Sequence, residues 1–197
     1  MCSKNYGDQP SFAFMGLRGM KLSKYKESDR PEIQRLFAKT FSDSESQSEG
    51  HLIGHLVLGL MNETEPQDIF GFVATEKEQI IGCIFFTRLS FDAPVEAFLL
   101  SPVVVHTNHQ GAGIGQRLIN FGIDQLKEKG VKLVFTYGDP NFYSKVGFEH
   151  ISEDKAKAPF ELTQPEGWLC QSLDGGEIEP LSGRARCVKA FNKPEYW

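Results

Sequence analysis

A glycine-rich loop in the middle of the chain separates a β-branched segment from a segment with helical periodicity. The first segment favours extended backbone, and apolar residues recur after the loop at helical spacing. The loop therefore lies at a helix N-terminus, where free backbone N–H groups and the helix dipole attract an anion. Alternating glycines also let a ligand approach the backbone closely. The predicted strand is Val103-Val104-Val105, and the predicted phosphate-binding loop is Gln110-Gly111-Ala112-Gly113-Ile114-Gly115.

Three kinds of phosphate-binding loop are candidates for this segment. A Walker loop ends in Gly-Lys-Ser/Thr, and the chain has no such tripeptide. A dinucleotide-binding loop requires glycine where Gln116 stands and an acidic residue about twenty positions later, where Phe135 stands and Asp139 lies a little beyond. The third pattern, Gln/Arg-x-x-Gly-x-Gly/Ala after an apolar strand, matches residues 110–115 at every position. It resembles the loop with which GNAT-superfamily N-acetyltransferases hold the pyrophosphate of acetyl-CoA.

A second motif follows in the order that the same family uses. Tyr143 to Phe148 reads Tyr-x-x-x-Gly-Phe, a recurring GNAT motif, and Gly138-Asp139-Pro140 precedes it. The added Gly-Asp-Pro resembles one branch of predicted bacterial acetyltransferases. Two motifs in the correct order are much harder to obtain by chance than one. The chain is therefore identified as a GNAT-superfamily member, with a resemblance that covers residues 20 to about 191.

The resemblance implies a fold, a cosubstrate and a set of contacts. The implied fold is α/β (α+β), with a mixed, mostly antiparallel sheet of about seven strands, helices on both faces, and a splay between strands 4 and 5. Acetyl-CoA is the implied cosubstrate, without a metal. The backbone of Val103, Val104 and Val105 would bind its pantetheine arm, with an amide of Val105 or His106 facing the thioester oxygen. The implied pyrophosphate contacts are Gln110, Gly111, Ala112, Gly113, Ile114, Gly115 and Gln116.

Tyr143 is the candidate general acid. A phenol has a reference pKa of about 10, so it is protonated at neutral pH and can donate to the departing thiolate. The alternative is a packing tyrosine without a chemical role. Many family members carry a glutamate on strand 4 where Leu99 stands here. We assign no general base. A water molecule could relay the proton of the amine to Glu96, to His106 or to a residue of the second helix, and these alternatives stay open.

Hydrophobic periodicity and turn residues predict the elements that position these motifs. An Asp29-to-Glu32 capping box with Pro31 is expected to start the first helix, which ends near Phe41. The serine- and acid-rich segment 42–50 is expected to be a mobile connector. The other predicted elements are strands at 20–26, 70–75, 80–91, 94–105, 131–137, 167–173 and 185–191, with helices at 51–62 and 113–129.

Length and composition set the broad class of protein. We predict an N-terminal extension over residues 1–19 and one domain over 20–197. The net charge of −5 and the lack of a basic run argue against nucleic acid as a partner. The four cysteines form no zinc framework, and no apolar stretch is long enough to cross a membrane. These features predict a cytoplasmic enzyme that binds no metal and no membrane.

The sequence thus predicts an acetyl-CoA-dependent N-acetyltransferase. It would transfer an acetyl group directly to an amine of a small molecule or peptide within a ternary complex. The alternative is a non-catalytic CoA-binding or regulatory module of the same fold, which the missing acidic residue at position 99 keeps open. A Rossmann-like nucleotide binder is disfavoured by Gln116. The oligomeric state is also left open, with a homodimer among the options.

Overall fold

The computed structural model describes residues 19–197, so the predicted extension lies outside the described residues except for Gly19. Its sheet has the strand order β1-β2-β3-β4-β5-β7-β6, and β8 pairs with β3. β4 and β5 run parallel, and the other strand pairs run antiparallel. The predicted mixed sheet is therefore confirmed. Its strands are β1 Lys21–Lys24, β2 Ile69–Glu76, β3 Gln79–Ser90, β4 Ala97–Val105, β5 Leu133–Tyr137, β6 Glu149–His150, β7 Trp168–Ser172 and β8 Arg186–Cys187.

Helices cover both faces of this sheet, as the resemblance implies. They are α1 Arg30–Ser44, α2 Gln47–Glu63, α3 Ile114–Glu128 and α4 Pro140–Tyr143. β3 and β4 are apolar on both faces because each face meets a helix layer. Phe85 and Leu99 pack in the α1/α2 layer, whereas Phe86 and Leu100 pack in the α3 layer. Among the described residues, no helix has an apolar stretch long enough to cross a bilayer.

The expected capping box at the start of α1 is wrong. The Asp29 carboxylate accepts a hydrogen bond from the Lys26 amide (2.8 Å) and closes a short 3-10 turn before the helix. The Glu32 carboxylate accepts from the amide of Ile80 (2.8 Å), at the start of β3. Each carboxylate thus has a partner that the local pattern did not show. Pro31 lies in the first helical turn, as predicted.

The expected mobile connector at residues 42–50 is also wrong, because most of this segment is helical. α1 continues to Ser44, and α2 begins at Gln47 rather than near residue 51. The Ser46 hydroxyl accepts from the amide of Glu49 (3.2 Å) and caps α2. A Cβ at Gly50 would lie 2.4 Å from the carbonyl oxygen of Ala38, so α1 and α2 pack in close contact there. This contact places Glu49 in the first turn of α2.

β4 and β5 form a fork that opens after the third paired residue. β4 pairs with β5 only through Ala97–Leu99. On its other side, β4 pairs with β3 through Val103 with Ile84 and Leu100 with Phe86. Two residues of β4 therefore stand opposite one residue of β3 between these pairs, so β4 carries an extra residue. This extra residue forms a bulge at Pro102, where the backbone has no N–H to donate to the ladder. The unpaired edge of β4 beyond Leu99 is the predicted splay.

The C-terminal segment is less regular than the sequence predicts. A strand was expected over 185–191, but β8 contains only Arg186–Cys187. A 3-10 turn over Lys189–Phe191 follows it and buries the Phe191 side chain. The ring of Phe191 contacts those of Tyr196 and Trp197. Aromatic packing against α2 and the sheet therefore replaces the expected strand pairing.

Candidate active site

A cavity of about 510 Å³ lies beside the fork, between β4, the glycine loop and α4. We call it the fork cleft. Val104 does not line it, because its side chain is buried in the α1/α2 layer. Ala112 is exposed and also lies outside the lining. The other predicted site residues line the cleft, namely Val103, Val105, Gln110, Gly111, Gly113, Ile114, Gly115, Gln116 and Tyr143.

The glycine loop presents free backbone groups to the cleft. Gly111 and Gly113 have φ values of 77° and 75°, in the left-handed region that favours glycine. A Cβ at either position would meet no protein atom within 4 Å. The amide of Arg117 donates to the Gly113 carbonyl (3.1 Å), so the amides of residues 114–116 precede the first helical hydrogen bond. The loop therefore fits a pyrophosphate group, with open space and free donors on one side.

The loop is also tied to β4. The Gln110 side-chain amide donates to the carbonyl of Val105 (3.0 Å). A Cβ at Gly115 would lie 3.5 Å from Val105 Cγ2 and 3.4 Å from the ring of Phe142, so Gly115 allows this packing. The amide of His106 donates to the Ile81 carbonyl on β3 (2.8 Å). Of the two amides expected to face a thioester oxygen, that of His106 is therefore engaged by β3, and that of Val105 stays the prediction.

Tyr143 is the last residue of α4, and its half-buried ring packs beside the fork. A Cβ at Gly138 would lie 2.7 Å from Tyr143 Cε2, so the glycine makes room for the ring. The rings of Phe142 and Phe148 lie 5.0 and 5.7 Å away. Burial raises the pKa of the Tyr143 phenol above its usual value, and the nearby Thr136 side chain opposes this shift. The phenol is therefore protonated at neutral pH and can donate a proton.

The candidates for a general base lie away from the cleft or are already engaged. Leu99 is buried in the α1/α2 layer. Glu96 precedes β4 and accepts from Arg88 Nη1 (2.8 Å), a guanidinium that also pairs with Asp68. His106 Nδ1 accepts from the Asn108 amide (3.2 Å). Within residues 19–197, no aspartate or glutamate lines the fork cleft.

Two cleft residues were missed by the sequence analysis, namely Phe142 and Lys145. Both lie within two residues of Tyr143 in the chain, on the same short helical segment. Their closeness to the tyrosine motif was the one feature of the sequence that could have predicted them. Of the two basic side chains that flank the glycine loop in sequence, His109 lines the cleft and Arg117 does not. Within the described residues, no group of three or more His, Cys, Asp or Glu side chains is arranged to hold a metal ion. Lys145 also brings a positive charge to the cleft, which suits an anionic ligand.

Comparisons with known proteins identify the family. A family model described as an acetyltransferase (GNAT) domain matches residues 67–150. The N-acetyltransferase YhbS of Escherichia coli K12 is 30% identical over 173 residues, which cover 84% of this chain and 94% of YhbS. The chain belongs to the GNAT family. A further relative, the uncharacterized N-acetyltransferase YjhQ of the same organism, is 29% identical over 168 residues, which cover 82% of this chain and 88% of YjhQ.

Solved GNAT structures share the fold. The crystal structure of E. coli YhbS in complex with CoA superposes with a TM-score of 0.76 at 25% identity, covering 89% of this chain and 93% of that one. A GNAT acetyltransferase from Brucella melitensis in complex with acetyl-CoA gives a TM-score of 0.67 at 26% identity, covering 87% and 97%. The chain therefore has the GNAT fold.

Thr136 supplies the last connection across the fork, and its removal is expected to destabilise the protein. Its hydroxyl donates to the carbonyl of Leu100 (2.9 Å), and both residues are fully buried. Thr136→Val would leave this carbonyl without a partner, at a cost of about 1–3 kcal/mol in unfolding free energy. Urea unfolding measures this loss.

Thr87→Val is the matched control for this substitution. Thr87 is equally buried, but its Oγ1 has no hydrogen-bond partner among residues 19–197. Replacing that hydroxyl with a methyl group removes a buried polar atom without breaking a bond, so stability should be unchanged or higher. Equal losses in the two variants would show that the bond between Thr136 and Leu100 does not stabilise the fork.

Proposed function

We propose that this GNAT protein transfers the acetyl group of acetyl-CoA to an amine of a small molecule or peptide, by direct attack within a ternary complex. The observation that carries the proposal is the fork cleft, where an open glycine loop, the unpaired edge of β4 and a protonated tyrosine meet in one cavity. Acetyl-CoA is the cosubstrate that supplies the acetyl group as a thioester.

Each part of the cleft has a proposed role. The amides of residues 111–116 hold the pyrophosphate, helped by the α3 dipole. The backbone of residues 103–105 binds the pantetheine arm through groups that β5 leaves unpaired. Lys145 adds positive charge at the rim, and His109 lines the cleft beside it. Tyr143 donates a proton to the departing sulfur, which makes the thiolate a better leaving group.

Direct transfer agrees with the state of the cysteines. None of Cys83, Cys170 and Cys187 lines the fork cleft. Burial raises the pKa of Cys83 and Cys170 well above the usual range, and that of Cys187 to about 11. These thiols are protonated at neutral pH, whereas a nucleophilic cysteine acts as a thiolate. An acyl-cysteine intermediate is therefore not part of the proposal.

The proposal includes where the protein acts and to which branch it belongs. We place the catalytic domain at residues 20–197 and the protein in the bacterial cytoplasm. The Gly138-Asp139-Pro140 segment before Tyr143 supports membership of the branch with the Gly-Asp-Pro-x-x-Tyr-x-x-x-Gly-Phe motif. In the structure, the Asp139 carboxylate caps α4 by accepting from the Asn141 amide (2.9 Å), so this segment positions Tyr143.

The decisive experiment is CoA thiol release over a panel of amines. We expect acetyl-CoA-dependent release with at least one amine, and calorimetric binding of acetyl-CoA and CoA but not of NAD. A non-catalytic CoA-binding module would bind both CoA ligands and release no thiol with any amine. Tight binding of NAD without binding of acetyl-CoA would overturn the proposed function.

A further inference from the structure

A second, smaller cavity lies across the fork from the fork cleft. Its volume is about 190 Å³, and we call it the aromatic pocket. Ser101 of β4 lines this pocket, whereas Val103 lines the fork cleft. On a regular strand, side chains two residues apart lie on the same face of the sheet, so Ser101 and Val103 would point to the same side. The bulge between them reverses the alternation, so β4 contributes one side chain to each cavity.

The other arm of the fork also serves both cavities. Tyr137, at the end of β5, lines the aromatic pocket. The next residue, Gly138, packs against the ring of Tyr143, which lines the fork cleft. Both arms therefore separate the same two cavities at the same place. A molecule in the aromatic pocket faces the fork from the side opposite the proposed acetyl-CoA site, as an attacking acceptor requires.

The wall of the aromatic pocket is rigid and apolar. The rings of Tyr137 and Trp197 are stacked, with centroids 6.4 Å apart and an interplanar angle of 19°. The Tyr137 hydroxyl is fixed by Thr163 Oγ1 (2.9 Å) and by the amide of Gln164 (2.8 Å). The Trp197 indole N–H donates to the carbonyl of Phe191 (3.2 Å). Because their polar atoms have partners, these rings offer apolar faces to an occupant.

The rim of the pocket is acidic. Glu49 lines the pocket and is half-buried, and within residues 19–197 its carboxylate has no ion pair. Glu45 lies beside it in an adjoining cavity. Glu195 lies on the other side, 3.7 Å from Lys193, whose ammonium group lies over the Tyr196 ring. The rim thus carries three carboxylates and one ammonium group, and this excess of negative charge favours a cationic occupant.

We propose that the acceptor is a small monoamine with a compact, preferably aromatic body, and that Glu49 determines this specificity by binding its ammonium group. The inference depends on the proposed function and names its substrate class. A volume of about 190 Å³ is below the usual range of ligand pockets, which favours a compact acceptor. The aromatic wall binds its apolar body, and the acidic rim rejects acceptors that carry a carboxylate.

The reaction of such an amine balances without a further reactant. The ammonium ion loses one proton to solvent, and its nitrogen lone pair forms a C–N bond to the thioester carbonyl carbon. The C–S bond breaks, and the sulfur takes the phenol proton of Tyr143. The second proton lost by the nitrogen restores the phenol. The products are the N-acetylated amine, CoA thiol and one proton released to solvent.

The test compares phenethylamine with phenylalanine, which adds one carboxylate, and with spermidine, a longer polycation. We expect kcat/KM for phenethylamine to exceed the values for phenylalanine and spermidine by about 10-fold or more. A factor of ten corresponds to about 1.4 kcal/mol, the size of one lost favourable contact. Glu49→Gln should raise KM for phenethylamine about 10-fold with kcat nearly unchanged, because it removes a binding charge. Glu49→Asp should restore part of the loss.

Glu63→Gln is the matched control. It makes the same change at the other end of α2, where Glu63 forms an exposed ion pair with Lys189. Its KM should match the wild-type value. Melting curves of both variants exclude misfolding as the cause. If phenylalanine or spermidine is the better acceptor, or if the KM values of the Glu49→Gln and Glu63→Gln variants are equal, the inference is wrong and the proposed function still stands.

Binding to the CoA-loaded protein separates the two proposals. Calorimetric titration with phenethylamine should show saturable binding that weakens about 10-fold in the Glu49→Gln variant. Binding of this kind without thiol release would support the pocket and overturn the proposed function. Thiol release from other amines, without phenethylamine binding, would overturn the pocket and support the proposed function.

Discussion

Tyr143→Phe is expected to lower kcat on the order of 10²-fold or more, the usual range for a general acid. The substitution removes one hydroxyl and keeps the ring, which packs between Phe142 and Phe148. Acetyl-CoA affinity and melting temperature should therefore change little. Steady-state thiol release measures the loss in kcat, and calorimetry measures the affinity. Wild-type turnover would assign Tyr143 to packing alone.

The loss should depend on the leaving group and on pH. Acyl donors with more acidic thiols need less protonation, so the Tyr143→Phe defect should shrink with them. Because burial raises the pKa of Tyr143 above 10, the proton is present at neutral pH and is lost only at strongly alkaline pH. The wild-type rate should therefore show no Tyr143-dependent fall below about pH 10.

Tyr25→Phe is the control for general effects of losing a phenol. Tyr25 is also half-buried, its ring packs against Phe85, and it does not line the fork cleft. Its replacement should leave kcat unchanged. Equal losses across all acyl donors in the Tyr143→Phe variant would mean that Tyr143 positions the cosubstrate instead of protonating the sulfur.

Gly113→Val is expected to weaken acetyl-CoA binding by about 10-fold or more, which corresponds to about 1.4 kcal/mol. The φ of 75° at Gly113 is unfavourable for a β-branched residue. The added side chain would also extend into the open space beside the free amides of the loop. Both effects disturb the cradle proposed to hold the pyrophosphate. Calorimetric titration with acetyl-CoA measures the change in dissociation constant.

Gly130→Val separates strain from ligand contact. Gly130 has a φ of 79° and open space around it, like Gly113, but it lies after the C-terminus of α3. Both variants should therefore lose stability in a ligand-free melting scan, and only the variant at position 113 should lose affinity. A folded Gly113→Val protein with an unchanged dissociation constant would remove the glycine loop from the binding site.

Local signals in the sequence predicted the elements that depend on nearby residues. The hairpin between β2 and β3 closes through Lys77 and Glu78, both at positive φ, between the predicted strands 70–75 and 80–91. α3 begins beside Gly113 and is followed by Gly130, as the two glycines indicated. The hairpin needs only the pairing of adjacent strands across a short turn, and the ends of α3 depend on the conformational range of glycine. The sequence therefore contains enough information to place them.

Polar residues with distant partners were the main source of error. Ser46 and Glu49 stand in a segment whose composition favours a mobile connector, yet close packing of Gly50 against Ala38 holds it in a helix. Glu32 fits a capping box with Asp29, but its carboxylate binds the amide of Ile80, distant in sequence. Composition and spacing within one segment cannot show such contacts, because they form only when other elements pack against it.

The sequence by itself determined the family, the glycine loop, the strand and helix that flank it and the tyrosine motif, because these depend on short runs of residues. Only the tertiary structure decided which side chains meet. The bulge at Pro102 places Val103 in the fork cleft and Ser101 across from it, while Val104 packs in the core. The folding of α2 likewise brings Glu49 to the aromatic pocket. One extra residue in a strand reverses every side chain beyond it, so the composition of each cavity depends on long-range pairing.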